Sequence, residues 1–149
     1  MNTPLKVFLI AAAGLATVWA EPPAFQGYEK LIRVTPLLKT QQTSAGQPIV
    51  YPAVAKPEVT AALVEIPPGA ETGWHQHPYP CYAFLLSGKL SVELADGTVH
   101  EATAGQALVE SVGLAHNGKN TGTEMVKLVM FVTGEAGQPF TIKEAAPAK

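Results

Sequence analysis

Ten short segments rich in Val, Ile, Leu, Tyr, Phe and Thr, each closed by Gly, Pro or an Asp-Gly pair, fill the chain between residues 30 and 143. That punctuation limits the fold more than any other feature, because segments of this length and composition are strands, and helical periodicity is nearly absent. Strands are predicted at about residues 30–38, 59–66, 72–77, 82–87, 90–95, 98–103, 107–111, 114–118, 124–133 and 139–143. Strands at such spacing favour an all-β closed barrel or jelly roll, which buries its edges.

Two segments give the pattern in detail. Leu90 to Ala95, then Asp96-Gly97, then Thr98 to Glu101 reads as a hairpin, with a type I′ turn expected at Asp-Gly and with Leu90, Val92 and Leu94 on one face. Glu124 to Thr133 starts polar and becomes almost wholly apolar, as where both faces of a strand are covered. In the segment from Cys81 to Leu86, Tyr82, Phe84 and Leu86 alternate with Cys81, Ala83 and Leu85, and the aromatic set is assigned to core packing.

At 149 residues and 47% hydrophobic content the chain has room for one globular domain with a real core. Residues 1–20 stand apart from it. Lys6 precedes an apolar run from Val7 to Ala16, and Val18-Trp19-Ala20 offers small residues before a cut, which is the pattern of a signal peptide. The run is shorter than the ~20 apolar residues that span a bilayer. The expectation is a periplasmic or secreted product with no membrane partner after cleavage. It comprises an N-terminal arm and first strand over 21–58, a barrel over 59–143 and a flexible tail over 144–149. The mature chain carries nine basic and twelve acidic side chains without long runs of one sign, so nucleic acid is not an expected partner. Cys81 is the sole cysteine, and no internal disulfide can form.

Two of the four histidines, His75 and His77, sit at i and i+2 in Trp74-His75-Gln76-His77-Pro78. On a strand that spacing puts both imidazoles on one face, half of a transition-metal site. His100 is read as a solvated strand position beside the hairpin. Glu93 and Glu110 lie on strands and are given the default of outward carboxylates. Trp74 and Tyr79 flank the histidines and are read as packing residues.

The stretch Gly69 to Gly88 resembles the first motif of the cupin superfamily, in which Gly is followed after five residues by His-x-His, then by Glu and a closing Gly. Gly105 to Asn120 resembles the second, with Gly113 in the turn and His116 and Asn120 at the motif's His and Asn positions. The resemblance covers about residues 59–133. It implies a jelly-roll β-barrel holding one transition-metal ion with His75, His77 and His116. Two departures stand out. Cys81 occupies the position of the motif's Glu, the usual fourth ligand; it is taken either as a soft ligand or as a thiol near the ion that does not bind it. A thiolate there shifts preference towards Fe, Zn or Cu and away from Mn. Ser111 replaces the motif's Pro, a change expected to touch loop rigidity.

The resemblance does not fix a reaction, since function belongs to the site and not to the fold. The first expectation is an exported metal-dependent enzyme, a dioxygenase-like oxidoreductase acting on a small molecule. The alternative is a non-catalytic periplasmic module that binds a small ligand or the metal itself. Cupins are often dimers, and a strand over Glu29 to Leu38 could join a neighbour in a homodimer.

Overall fold

The computed structural model describes residues 31–147; the expected signal peptide lies outside them. Among the described residues, the unit from Pro36 onward is built from nine strands and no helix. In chain order these are β1 (Pro57–Ile66), β2 (His75–Gln76), β3 (Cys81–Ser87), β4 (Lys89–Leu94), β5 (Val99–Thr103), β6 (Ala107–Val109), β7 (His116–Asn120), β8 (Val126–Glu135) and β9 (Ile142–Lys143). They form two antiparallel sheets, one ordered β1-β8-β3-β6 and the other β5-β4-β7-β2-β9. The crossovers between sheets are those of a jelly roll.

The first sheet supplies most of the core. β1 and β8 pair over ten consecutive positions, from Pro57 opposite Glu135 to Ile66 opposite Val126. Strand alternation sends Val126, Leu128, Met130 and Val132 inward from β8, and Cys81, Ala83 and Leu85 inward from β3. They meet Leu90, Val92 and Leu94 of β4 in one cluster, so both sheets share a single core. Tyr82 and Phe84, opposite Phe131 and Val129, lie on the outer face of this sheet, only partly covered. The aromatic set is therefore not core, because the period of two gives the interior to its smaller neighbours.

Gly88 ends β3 with φ at +82°, and a Cβ there would stand 2.7–2.9 Å from atoms of Val126 and Met125. Only glycine fits between β3 and the start of β8. The β4–β5 hairpin forms where expected but with a different turn. Only Gly97 has positive φ, whereas a type I′ turn would need it at Asp96 as well. The Gly97 N–H donates to Leu94 O, and Thr98 N–H donates to the Asp96 carboxylate.

The expected first strand is absent: residues 31–40 join no ladder. Pro36 lacks an N–H, and Leu37 and Leu38 are exposed, so nothing pairs the segment and no face of it is buried. Residues 144–147 are likewise outside any strand, although the Glu144 N–H donates to Trp74 O at 2.9 Å.

Candidate metal centre

The three histidines of the two motifs come together in one cluster. β2 and β7 pair with His75 directly opposite His116, which brings their ring centroids to 4.5 Å. His77 follows two residues later, its ring centroid 5.0 Å from His75 and 5.2 Å from His116. Each offers a ring nitrogen, and the three lie within 4.8 Å of one another. His77 and His116 are each 2% exposed.

Local chain geometry holds them there. Gly113, at φ +66°, turns the chain between β6 and β7, and its N–H donates to His77 O at 2.9 Å. The turn that returns His116 is thus stitched to the residue it must meet. Ser111 is buried beside that turn, its hydroxyl 3.3 Å from His116 Nδ1, so the serine in place of proline contacts a site histidine directly. Asn120 is buried and donates from Nδ2 to Ile66 O and Glu124 O at 2.8 Å, tying the end of β7 to the end of β1 and to the segment before β8.

In all three imidazoles Nδ1 faces a backbone carbonyl: Gly73 O at 2.8 Å for His75, Phe140 O at 2.7 Å for His77 and Leu114 O at 2.9 Å for His116. A carbonyl only accepts, so Nδ1 carries the proton and Nε2 is left with its lone pair. This is the outer-shell arrangement that orients histidine ligands. The Nε2 atoms of His77 and His116 are buried without a hydrogen-bond partner, which is costly for polar atoms unless something positive completes them.

A fourth donor comes from the residue that follows β6. Glu110, just past β6, is 12% exposed and turns inward, with Oε2 2.7 Å from His77 Nε2 and 3.9 Å from His116 Nε2. Its Oε2 is also buried and lacks an aligned hydrogen bond. An imidazole lone pair and a carboxylate at that distance repel unless a cation or proton lies with them, and these residues fit a metal on that ground. Burial opposes ionising Glu110, but His77 beside it, then the charges of His116 and His75, hold its pKa below the usual carboxylate value. Burial also opposes charging His77; the Glu110 contact and charge and the Phe140 carbonyl outweigh it and raise its pKa. For His116 burial prevails and lowers the pKa.

The outward default for Glu110 is thereby corrected, while Glu93 is exposed as expected. The signal was present in the alternation: Leu108 pairs with inward Ala83, so Glu110, two residues on, shares the inner face. His100 also departs from the solvated reading. It pairs with Val92, on the inner side of the hairpin, and its Nε2 is buried.

Cys81 is 0% exposed and belongs to the core cluster. Its Sγ lies within 4.8 Å of ligand atoms of His77 and Glu110. Burial, then the Glu110 charge, pushes its thiol pKa far up, so it stays protonated. Its own carbonyl accepts the Glu110 N–H at 2.9 Å, making Cys81 and Glu110 neighbours across the β3–β6 ladder. The carboxylate that the first motif lacks on β3 is thus supplied from the adjacent strand. Trp74 and Tyr79 do not line the cavity beside the histidines, and Tyr79 packs on the core under Gly134.

The family model for the cupin domain matches residues 62–132. No curated protein matches the sequence. Among solved structures, the oxalate decarboxylase of Lactobacillus farciminis aligns at 22% identity and TM-score 0.50 over 57% of this chain and 26% of its own. A Bacillus subtilis oxalate decarboxylase with Mn(II) centres aligns at 22% identity and TM-score 0.50 over 57% and 23%. A structure from a study of the DMSP lyases RdDddP and RnDddQII aligns at 16% identity and TM-score 0.51 over 58% and 44%. The chain spans about a quarter of the length of the two decarboxylases, and at these identities the likeness is one of fold. Strand order, motif residues and family model agree: residues 62–132 of this chain are a cupin domain.

Proposed function

We propose that this chain is an exported metal-binding cupin that works as a metal-dependent enzyme, a dioxygenase-like oxidoreductase acting on a small molecule. One observation carries the metal reading. Three imidazoles with Nδ1 tied to backbone carbonyls present their remaining nitrogens, together with Glu110, to a cavity of about 200 Å³. His75, His77 and His116 would hold the ion, with Glu110 rather than Cys81 as fourth donor. A bound ion would supply Lewis-acid or one-electron redox chemistry.

Replacing a soft thiolate by a carboxylate moves the expected ion. Three imidazoles and one carboxylate suit Fe(II) and readmit Mn(II), which a cysteine ligand had disfavoured. The protein groups orient and seal the site. The Phe140 carbonyl fixes His77, Thr72 and Thr141 give hydroxyls at the cavity wall, and aliphatic side chains line most of the rest.

The test is elemental analysis of protein isolated from its own export compartment, followed by oxygen uptake of the Fe(II)-loaded protein over a panel of small hydroxylated substrates. About one ion per chain with turnover is expected. An ion without turnover on any substrate would favour the binding module, and protein without stoichiometric metal would end the metal reading.

A further inference from the structure

The cavity against the histidines and Glu110 has a wall chemistry that selects among small molecules. Val64 and Ile66 of β1, Leu90 and Val92 of β4, and Leu128 and Met130 of β8 line its body, all aliphatic side chains from both sheets. The polar groups stand around them: the three imidazoles, Glu110, and the hydroxyls of Thr72 and Thr141. Among the described residues, no lysine or arginine lines it.

A small dicarboxylate placed here would lose its hydration against hydrocarbon and face the Glu110 carboxyl group, with no lysine or arginine on the wall to offset either cost. A neutral ligand with an apolar body and one hydroxylated end meets no such penalty. Its body replaces water along the aliphatic wall, and its hydroxyl can donate to the Glu110 carboxylate or an imidazole nitrogen. Size narrows the class further. An apolar cavity of about 150 Å³ holds a benzene ring, and this one, at about 200 Å³, has room for one ring and a hydroxyl substituent.

We propose that the cavity binds a neutral, single-ring hydroxyl compound of the phenol type, with the ring among Val64, Val92 and Met130 and the hydroxyl directed at the histidines and Glu110. This rests on the metal-centre reading only for chemistry, not for binding. It also separates the chain from the oxalate decarboxylases whose fold it shares, because oxalate is a dianion.

Phenol, which is neutral at pH 7, is the probe, with oxalate as the charged comparator, each titrated calorimetrically into metal-free and Fe(II)-loaded full-length protein. Phenol is expected to bind both forms, and oxalate is expected to bind the metal-free form at least tenfold more weakly than phenol. Val64→Phe fills the cavity body and should weaken phenol at least tenfold while metal stoichiometry is unchanged; Val64→Leu, a milder filling that keeps the fold, should weaken it several-fold. Oxalate binding tighter than phenol in both forms, or phenol binding indifferent to both substitutions, would overturn the proposal. The two readings fail separately: metal-free isolates that still bind phenol sink the metal centre alone, and metal-loaded protein that ignores phenol sinks the ligand class alone.

Discussion

The two sheets divide the labour of this barrel unequally. The β1-β8-β3-β6 sheet has the long register, with ten matched pairs between β1 and β8 and most of the fully buried aliphatic side chains. The other sheet carries His75 and His116, and its site edge is slight: β2 pairs with β7 at one position and with β9 at two. Ladder and apolar burial hold the first sheet, whereas the site edge is held by side-chain contacts to carbonyls of Gly73, Leu114 and Phe140. Stability and chemistry are therefore separable, and substitutions should hit one or the other.

The largest effect expected on that separation comes from replacing both His75 and His77 by Ala. Metal uptake should be abolished, while the far-ultraviolet circular dichroism of a β-barrel persists, because apolar burial and not the ion supplies most of the folding free energy. Collapse of the β signal in the metal-free variant would show that the site edge is structural after all. The reciprocal change is Leu85→Ala in β3, where the side chain is fully buried in the core. It should cost about 2–5 kcal/mol in thermal or denaturant unfolding, yet leave one ion per folded chain. A coupled loss of metal at temperatures where the variant is folded would break the division.

A smaller effect sharpens the division within the site. Glu110→Gln keeps the shape but removes the charge, and metal affinity should fall roughly 10–100-fold in competition titrations, with discrimination in favour of Fe(II) and Mn(II) reduced. Glu93→Gln, exposed on β4, is the control and should change nothing. Equal affinities for the wild type and Glu110→Gln would remove the carboxylate from the ligand set.

How far the sequence reached follows the same line. All nine observed strands overlap strands read from apolar punctuation, because short apolar runs closed by Gly, Pro or Asp-Gly mark their own ends, and Lys89–Leu94 also states its period. The histidines were legible from spacing, since His75 and His77 at i and i+2 need only a strand and Gly113 only a turn. What escaped depended on partners in space. Residues 31–38 have strand-like composition but no neighbouring ladder, and composition cannot tell a paired segment from an unpaired one. Glu110 was assigned to solvent because isolated carboxylates usually are exposed; its inward aim follows from the pairing of Ala83 with Leu108, a register that no single segment reveals. His100 was misplaced for the same reason, its face being set by Val92 across the hairpin.

The smallest effect on metal is expected at Cys81, and it discriminates most finely between the two donors on adjacent strands. If Glu110 has taken over from β3, Cys81→Ser should leave metal affinity unchanged within about a factor of two. It should still cost about 1–3 kcal/mol, because a hydroxyl in a site made for a thiol is buried among Leu85, Val132 and other core side chains with no partner assured. A thiol held protonated by burial and by Glu110 should also react with alkylating reagents far more slowly than free cysteine at pH 8, and more slowly than after denaturation. The informative comparison is between the two single variants. Loss of metal in Cys81→Ser with retention in Glu110→Gln would return the fourth position to β3, and the carboxylate would then be a charge that tunes His77 from beside the ion.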